Sequence, residues 1–202
     1  MRNRTALAAI VTAALLAALV TVFLVTRGDG NASAALRAVP YPKEIPAPAT
    51  LGRDQAGQAV QVPRAGRPAV VTFLFANCPD VCPLVAQEIS QALDDAGPAA
   101  DGIDVVAISV DPEGDDRASV DRFLKAHRLA GRMRYIVGTR AELAPMWKAW
   151  QVAAQPSGDI TKSSHTARVV LVDRDGRQLA SYPGGIPFAP EDLAADIRTL
   201  TG

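Results

Sequence analysis

The chain has 202 residues, a length that suits one domain with a sizeable core and makes two domains unexpected. It contains 21 basic and 21 acidic residues, and the part after residue 27 holds 18 basic against 21 acidic, a net charge of −3. This balance excludes the basic surface that a nucleic-acid-binding protein presents.

An uncharged apolar segment lies near the N-terminus, at residues 5–25. At about 1.5 Å per residue it is long enough to cross the hydrocarbon core of a bilayer, roughly 30 Å thick. Arg2 and Arg4 precede it, so the positive-inside rule keeps the N-terminus cytoplasmic and exports the remainder. Residues 32–34, "ASA", would suit a signal peptidase, but cleavable signals have a shorter apolar region of about 7–15 residues. The sequence therefore predicts an uncleaved transmembrane anchor at residues 1–27 of a bacterial membrane protein, with the globular domain outside the cytoplasm.

A proline-rich segment follows the predicted anchor, with four prolines among residues 39–48. Such a segment is typical of a semi-rigid polyproline spacer, which extends about 3.1 Å per residue. We therefore predict an extracytoplasmic linker at residues 28–50 and a globular domain at residues 51–202.

Strand and helix patterns alternate through the predicted globular domain. In chain order the sequence predicts a buried strand at 69–75, a helix with Pro83 as its first residue, a buried strand at 103–110, a helix at 116–127, a strand at 133–137, a helix at 140–150, a hairpin around the Asp-Gly turn at 175–176, and a helix at 190–200. This order indicates an α/β fold with a mixed central sheet covered by helices on both faces. That is the outline of a thioredoxin-like fold.

The only two cysteines, Cys78 and Cys82, fall where the first buried strand ends and the next helix begins. This is the edge at which parallel sheets usually carry their functional sites. Backbone N–H groups at a helix N-terminus lower cysteine pKa values, whereas the charge of Asp80 raises them. A structural disulfide is a weak alternative, because closing so short a loop stabilises a protein little.

Four uses of such a cysteine pair differ in what they require. A thioredoxin-type dithiol has two residues between its cysteines, and this pair has three. A peroxiredoxin-type motif, PxxxTxxC, is absent, because Val71 and Phe75 stand at the proline and threonine positions. A structural zinc site would need both histidines of the chain to complete four ligands. The fourth use is a copper site, because thiolates select Cu(I) and imidazole suits either copper oxidation state.

Two histidines are available as a nitrogen ligand. His127 lies at the polar end of a predicted helix, where we expect an ordinary surface residue. His165 comes just before the predicted strand that begins near residue 168, and a solvated or capping histidine is a common alternative at such a place. A methionine-rich copper site is excluded, since Met133 and Met146 are the only methionines of the globular domain.

Three segments together carry a family resemblance: "FANCPDVCPLVAQEI", "VVAISVDPEGDD" and "SSHTARVVLVDRDGR". Across roughly residues 51–182 the chain resembles the SCO/SenC family of membrane-anchored, thioredoxin-like copper chaperones. The resemblance implies that Cys78, Cys82 and His165 bind copper. It also implies a role in assembling the dinuclear copper centre of cytochrome c oxidase, as metallochaperone, as thiol reductant of the target cysteines, or as both.

The chain departs from the family pattern at two places beside the implied ligands. Ala76 and Asn77 replace the Thr-x pair that is common before the first cysteine, and Ser163 and Ser164 replace a frequent Val-Asp before the histidine. Neither change removes a ligand. Loss of an acidic neighbour of His165 can alter how the imidazole is supported, and therefore the metal affinity.

Other polar and aromatic residues near the cysteines have structural explanations. Within "DPEGDD", at residues 111–116, we expect a turn in which Asp115 or Asp116 caps the next helix, and not a hard-cation site. We expect Asp80 to be a turn residue that accepts hydrogen bonds near the cysteines. Trp147 and Trp150, three residues apart on a helix, should pack in the core or an interface.

The function expected from these observations is that of a copper metallochaperone with Cys78, Cys82 and His165 as ligands. Its expected partner is cytochrome c oxidase subunit II or a similar acceptor whose own cysteines take the metal. The alternative is a membrane-tethered thiol-disulfide oxidoreductase, in which Cys78 attacks a target disulfide and Cys82 resolves it. Only this alternative would make the protein an enzyme. A redox or copper sensor is a third hypothesis, although no signalling domain is appended.

Overall fold

A computed structural model of the protein describes residues 36–155, 164–165 and 167–202. Within them the helices and strands, in chain order, are β1 (Val39–Pro46), β2 (Thr50–Asp54), β3 (Ala59–Val62), β4 (Ala69–Leu74), α1 (Val81–Ala96), β5 (Asp104–Ser109), α2 (Arg117–Ala126), β6 (Arg134–Val137), α3 (Arg140–Ala149), β7 (Ala154–Gln155), β8 (Ser164–His165), β9 (Arg168–Val172), β10 (Arg177–Pro183) and α4 (Pro190–Thr201). A short 3-10 helix, Gly97–Gly102, follows α1.

Eight strands form one mixed sheet in the order β1-β10-β9-β4-β5-β6-β2-β3. Strands β4, β5 and β6 run parallel to one another, and every other pairing in this sheet is antiparallel. All six residues of β4 are buried, as their near-continuous hydrophobicity predicts for a central strand. The predicted mixed α/β sheet is confirmed.

The parallel strands determine where a site can form. Leu74, the last residue of β4, is in register with Ser109, the last residue of β5. The loops that leave these two strands therefore emerge side by side at the same edge of the sheet. One loop carries the cysteines and the other carries "DPEGDD", so two segments that are about thirty residues apart in sequence become neighbours.

The prediction of a proline spacer is wrong for residues 39–46, because they form strand β1. This edge strand pairs with β10, with Val39 opposite Ser181 and Pro46 opposite Arg177, and its register shifts between Pro40 and Ile45. Proline has no N–H to donate, but an edge strand needs only part of its N–H groups for pairing, so prolines are tolerated there. The β2–β3 hairpin was also not predicted.

Helix boundaries largely follow the sequence signals. Helix α1 begins at Val81, two residues before the predicted start. The predicted cap of the next helix is confirmed at Asp116, whose Oδ1 accepts a 2.7 Å hydrogen bond from the Ser119 N–H. The predicted packing role of the tryptophans is also confirmed, because Trp147 and Trp150 are both buried.

The predicted anchor, residues 1–27, and the linker as far as residue 35 lie outside the described residues. In the part of the chain that the structure describes, no helix is both long enough and apolar enough to cross a membrane.

A buried carboxylate ties the beginning of the described chain to its last helix. Asp196 of α4 accepts hydrogen bonds from the backbone N–H groups of Arg37 and Ala38, at 2.6 and 3.0 Å. It also accepts a 2.6 Å bond from the hydroxyl of Tyr182 on β10. Its side chain is fully buried, so all three donors depend on this one group.

We predict that Asp196→Ala lowers the free energy of unfolding by about 3 kcal/mol, because it leaves three donors without their acceptor in a buried place. Urea denaturation at pH 7 measures the change. Asp175→Ala is the matched control, since Asp175 is an exposed carboxylate of the β9–β10 turn, and it should cost under about 0.5 kcal/mol. Equal losses in the two variants would contradict the prediction.

Candidate metal centre

The two cysteines lie on the short connection between β4 and α1. The Cys78 N–H donates to the Phe75 carbonyl at 3.2 Å, which forms a turn directly after the strand. Cys82 follows in the first turn of α1, and its N–H donates to the Cys78 Sγ at 3.4 Å. Cys78 is half-buried, Cys82 is fully buried, and no disulfide joins them.

The pKa values of the two cysteines are shifted in opposite directions. A hydrogen bond from the Cys82 thiol is the main cause that lowers the pKa of Cys78 to about 6, against the effect of burial. The backbone N–H groups of Asp80, Val81 and Cys82 contribute in the same direction, as expected at a helix N-terminus. The pKa of Cys82 is raised well above its usual range, first by this hydrogen bond to Cys78 and then by burial. At neutral pH the pair therefore holds one thiolate and one thiol.

Asp115 connects the cysteine loop to the neighbouring strands. Its Oδ1 accepts a 2.7 Å hydrogen bond from the Ala76 N–H. Its Oδ2 accepts a 2.6 Å bond from the Ser109 hydroxyl, at the end of β5, and a 3.0 Å bond from the Tyr135 hydroxyl of β6. This one carboxylate therefore joins the start of the cysteine loop to strands β5 and β6 by hydrogen bonds.

Burial raises the pKa of the Asp115 carboxyl group. The Asp115 side chain lies among buried residues, and this desolvation raises its pKa to about 6 although its three hydrogen bonds favour the charged form. The nearby charge of Asp111 acts in the same direction as burial. The sequence predicts Asp115 only as a possible cap of the next helix, because its contact with Ala76 depends on the pairing of β4 with β5, which no local pattern shows.

A second contact joins the two loops. The Asn77 side chain donates to the Gly114 carbonyl at 2.9 Å, so this departure from the family pattern contributes to the loop contact. A Cβ on Gly114 would overlap the Asp111 carboxylate, so a larger residue at this position would force that side chain to shift. Asp80 stands at the cap position of α1, and its side chain makes no capping hydrogen bond.

The histidines lie on different parts of the chain. His127 follows the last residue of α2, its ring packs on Phe123 with centroids 4.7 Å apart, and burial lowers its pKa. The backbone of His165 pairs with Ala154 in a two-stranded ribbon formed by β7 and β8. The side chain of His165 is outside the described residues. Among the side chains that the structure does describe, no group of three or more His, Cys, Asp or Glu residues could hold a metal ion.

The fold and the cysteine loop define a thioredoxin-like protein with a thiolate–thiol pair at the N-terminus of a helix. The chain belongs to the SCO1/SenC family, whose family model matches residues 47–202. The predicted family and thioredoxin-like class are therefore confirmed.

Three relatives illustrate the similarity. ScoI of Bradyrhizobium japonicum, solved with copper bound, is 32% identical, with a TM-score of 0.66 over 77% of this chain and 99% of that one. BsSco, a member of the Sco family of cytochrome c oxidase assembly proteins, is 21% identical, with a TM-score of 0.64 over 81% of this chain and 97% of that one, which supports the fold alone. The human mitochondrial SCO1 homolog is 27% identical over 140 residues, 66% of this chain. That match spans 45% of the human protein, about half its length.

We predict that the alkylation rate of Cys78 rises with pH with a midpoint near 6, because the thiolate is the reactive form and predominates above its pKa. Iodoacetamide labelling followed by peptide mass spectrometry measures the rate at each cysteine separately. Cys82→Ala removes the thiol donor and should move the midpoint toward the ordinary value of about 8.5. Cys82→Ser keeps a hydroxyl donor and should stay closer to the parent. A parental midpoint above pH 8 would contradict this account.

We predict that Asp115→Asn removes a pH dependence from the stability of the protein. The folded-state pKa of Asp115 is about 6, above the ordinary carboxyl value of about 3.9, so the folded state holds the proton more tightly. The contribution of Asp115 to the unfolding free energy therefore falls as pH rises from about 4 to about 6, by at most about 3 kcal/mol. Urea denaturation across this range should show the fall in the difference between parent and variant.

The matched control for Asp115→Asn is Asp116→Asn, which changes the neighbouring carboxylate at the exposed cap of α2. The pKa of Asp116 is lowered by hydrogen bonds from Ser119, so this control should not remove the fall between pH 4 and 6. The explanation fails if the parent and Asp115→Asn differ by the same free energy at every pH.

Proposed function

We propose that the protein is a copper metallochaperone that binds the ion through Cys78, Cys82 and His165 and delivers it during assembly of the dinuclear copper centre of cytochrome c oxidase. The observation that carries this proposal is the pair of free cysteines that the structure brings together at the start of α1, with the Cys82 N–H 3.4 Å from the Cys78 Sγ, in a chain of the SCO1/SenC family. A relative of this chain, ScoI, has been solved with copper bound. The copper ion is the cargo of the protein.

The sulfur pair suits the capture of a soft cation. Cys78 offers a thiolate at neutral pH and is half-exposed, so it can make the first bond to an incoming Cu(I). Cys82 must then lose its proton to become the second ligand. A bound cation in place of that proton would stabilise two adjacent negative sulfurs, so copper binding should release a proton from this pair.

His165 is the proposed third ligand, and its nitrogen would complete a three-coordinate site. Within the described residues its backbone pairs with Ala154 in the short β7–β8 ribbon. In the proposed function this nitrogen ligand leaves the copper ion during transfer and returns when the next ion binds. In the proposed transfer, thiolates of the acceptor replace Cys78, Cys82 and His165 one at a time.

The proposed partner is cytochrome c oxidase subunit II or a similar acceptor with its own cysteines. The proposed location is the outer face of a bacterial cell membrane, with residues 1–27 as anchor and the N-terminus in the cytoplasm. No nucleic-acid partner is proposed, because the part of the chain after residue 27 has a net charge of −3.

A second function, thiol-disulfide reduction, is favoured by the same asymmetry of the two sulfurs. The Cys78 thiolate would attack one sulfur of a target disulfide, forming a mixed disulfide and releasing the other target sulfur as a thiolate. Cys82 would lose its proton and attack the Cys78 sulfur, which frees the second target thiol and leaves a Cys78–Cys82 disulfide. The target gains two electrons, and an external dithiol reductant would have to restore the pair. This oxidised pair could not bind copper.

We predict that the reduced 202-residue chain in detergent micelles binds one equivalent of Cu(I) tightly, and that His165→Ala weakens this binding by at least about 10-fold because one of three ligands is lost. Anaerobic titration against a Cu(I)-chelating competitor measures the affinity.

His127→Ala is the matched control, since it removes the other histidine of the chain, and it should bind copper like the parent. Parental affinity in His165→Ala would disprove the ligand assignment. Failure of the parent to compete for Cu(I) would favour the reductase.

A further inference from the structure

We propose that Asn77 is a positioning residue of the cysteine site, which holds Cys78 in place through the hydrogen bond from its side chain to the Gly114 carbonyl. This bond is here named the loop clamp. The inference rests on the proposed function, because it concerns how the first sulfur ligand is held before copper arrives. It follows from the contacts on the two sides of the clamp.

Two adjacent residues join the cysteine loop to the loop at residues 111–116. The Ala76 N–H donates to Asp115 Oδ1 at 2.7 Å, and the Asn77 Nδ2 donates to the Gly114 carbonyl at 2.9 Å. Asn77 is the residue directly before Cys78. Of these two bonds, the loop clamp is therefore the one nearer in sequence to the first sulfur.

The acceptor of the clamp is itself fixed to a helix. The Gly114 carbonyl also accepts a 2.8 Å hydrogen bond from the Ser119 hydroxyl in the first turn of α2. Ser119 is buried, and its N–H donates to Asp116 Oδ1 at the cap of the same helix. One carbonyl is thus shared between the cysteine loop and α2. The loop clamp therefore ties the residue before Cys78 to the beginning of a helix.

Beyond Asn77 the chain turns toward α1. The Cys78 N–H donates to the Phe75 carbonyl at 3.2 Å, which is the upper end of the ordinary range for such a bond. The Cys78 Sγ accepts from the Cys82 N–H at 3.4 Å. The Asp80 side chain makes no capping hydrogen bond at the start of α1. The position of Cys78 relative to Cys82 therefore depends on what holds the chain ahead of Cys78.

Gly114 leaves the space that the clamp needs. A Cβ on Gly114 would overlap the Asp111 carboxylate and lie 3.4 Å from the Asn77 Nδ2. Asp111 is buried, so a side chain at position 114 would displace an enclosed carboxylate and crowd the Asn77 amide. The φ of Gly114 does not lie in the left-handed region, so Gly114→Ala tests this space and not backbone strain.

A ligand that is already in place loses less conformational freedom when the ion binds. Cys78 lies on a loop and is half-buried, so little of its own packing holds it. The clamp supplies part of the missing order from the side of the 111–116 loop. Its loss should therefore weaken copper binding although both sulfurs are still present.

The test compares the Cu(I) affinity of the reduced 202-residue chain in detergent micelles with that of Asn77→Ala and Asn77→Gln, by anaerobic titration against a Cu(I)-chelating competitor. Asn77→Ala should weaken binding by about 3- to 10-fold, the range expected for the loss of one hydrogen bond. Asn77→Gln keeps the amide donor on an exposed side chain and should recover most of the parental affinity. Parental affinity in Asn77→Ala would overturn the proposal.

Gln55→Ala is the matched control. Its side-chain amide makes the same kind of bond between distant segments, to Asp121 Oδ1 of α2 at 3.1 Å, outside the cysteine loop. This variant should bind Cu(I) like the parent. If it weakens binding as much as Asn77→Ala does, the loss reflects general destabilisation and the positioning role is wrong.

A double-mutant cycle tests whether Asn77 and Gly114 act together. Gly114→Ala should weaken Cu(I) binding in the parent. In the Asn77→Ala background the same change should have a smaller effect, because the bond that it disturbs is already absent. Effects that simply multiply in the double variant would contradict the loop clamp.

Hydrogen exchange followed by mass spectrometry measures the position of the loop without copper. In Asn77→Ala, exchange should be faster in peptides that cover residues 76–82, which contain the hydrogen-bonded N–H groups of Ala76, Cys78 and Cys82. Peptides of β5 should exchange as in the parent. Faster exchange throughout the domain, or no change at residues 76–82, would refute a positioning role.

The outcomes also separate this inference from the proposed function. If the parent binds no Cu(I), the proposed function fails, and hydrogen exchange alone decides whether the clamp holds the loop. If the parent binds Cu(I) and Asn77→Ala matches it in affinity and in exchange, the clamp alone fails.

Discussion

The hydrogen bonds of the Asp115 carboxylate are the constraint on which the cysteine site depends. Three donors from the cysteine loop, β5 and β6 converge on this one buried group, so the loop cannot move without leaving donors unsatisfied. The parallel register of β4 and β5 brings these partners together. Because a buried network of this kind has few alternative arrangements, the cysteine loop has a defined shape before any ligand arrives.

The inequality of the two sulfurs follows from this geometry. Cys78 lies where backbone N–H groups point toward it and solvent reaches it, whereas Cys82 is enclosed by the core. Placing two thiolates side by side would be unfavourable, and sharing one proton in a hydrogen bond avoids it. The site therefore carries a single negative charge at rest. A soft cation or a target disulfide would meet the same resting state, which is why the thiols alone do not separate the two proposed functions.

Much of the fold could be predicted because its signals are local. The buried strands and the amphipathic helices appear as periodic hydrophobic patterns, and the cap at Asp116 is a sequence signature. Strand β1 could not be found in this way, since its proline content is a local signal for a spacer and its pairing with β10 is a property of the whole sheet. The candidate site likewise depends on contacts that no local pattern in the sequence shows. The cysteines stand out in the sequence, but the contact of Asp115 with Ala76 and the close approach of Gly184 to Ala167 exist only once distant segments have been brought together.

The pairing of β1 with β10 also determines how the domain would resist a force applied to the chain ahead of it. Any pull on the chain ahead of Val39 enters the domain first at Arg37 and Ala38, whose N–H groups are held by the buried Asp196, and then along an edge strand. When one of two antiparallel strands is pulled along its length, the hydrogen bonds between the strands are loaded together, in shear. The loaded partner, β10, runs directly into Gly184. Tension on the chain ahead of Val39 would therefore be borne by the Asp196 contacts and by the pairing of β1 with β10, and β10 ends directly before Gly184, which is hydrogen-bonded to Ala167.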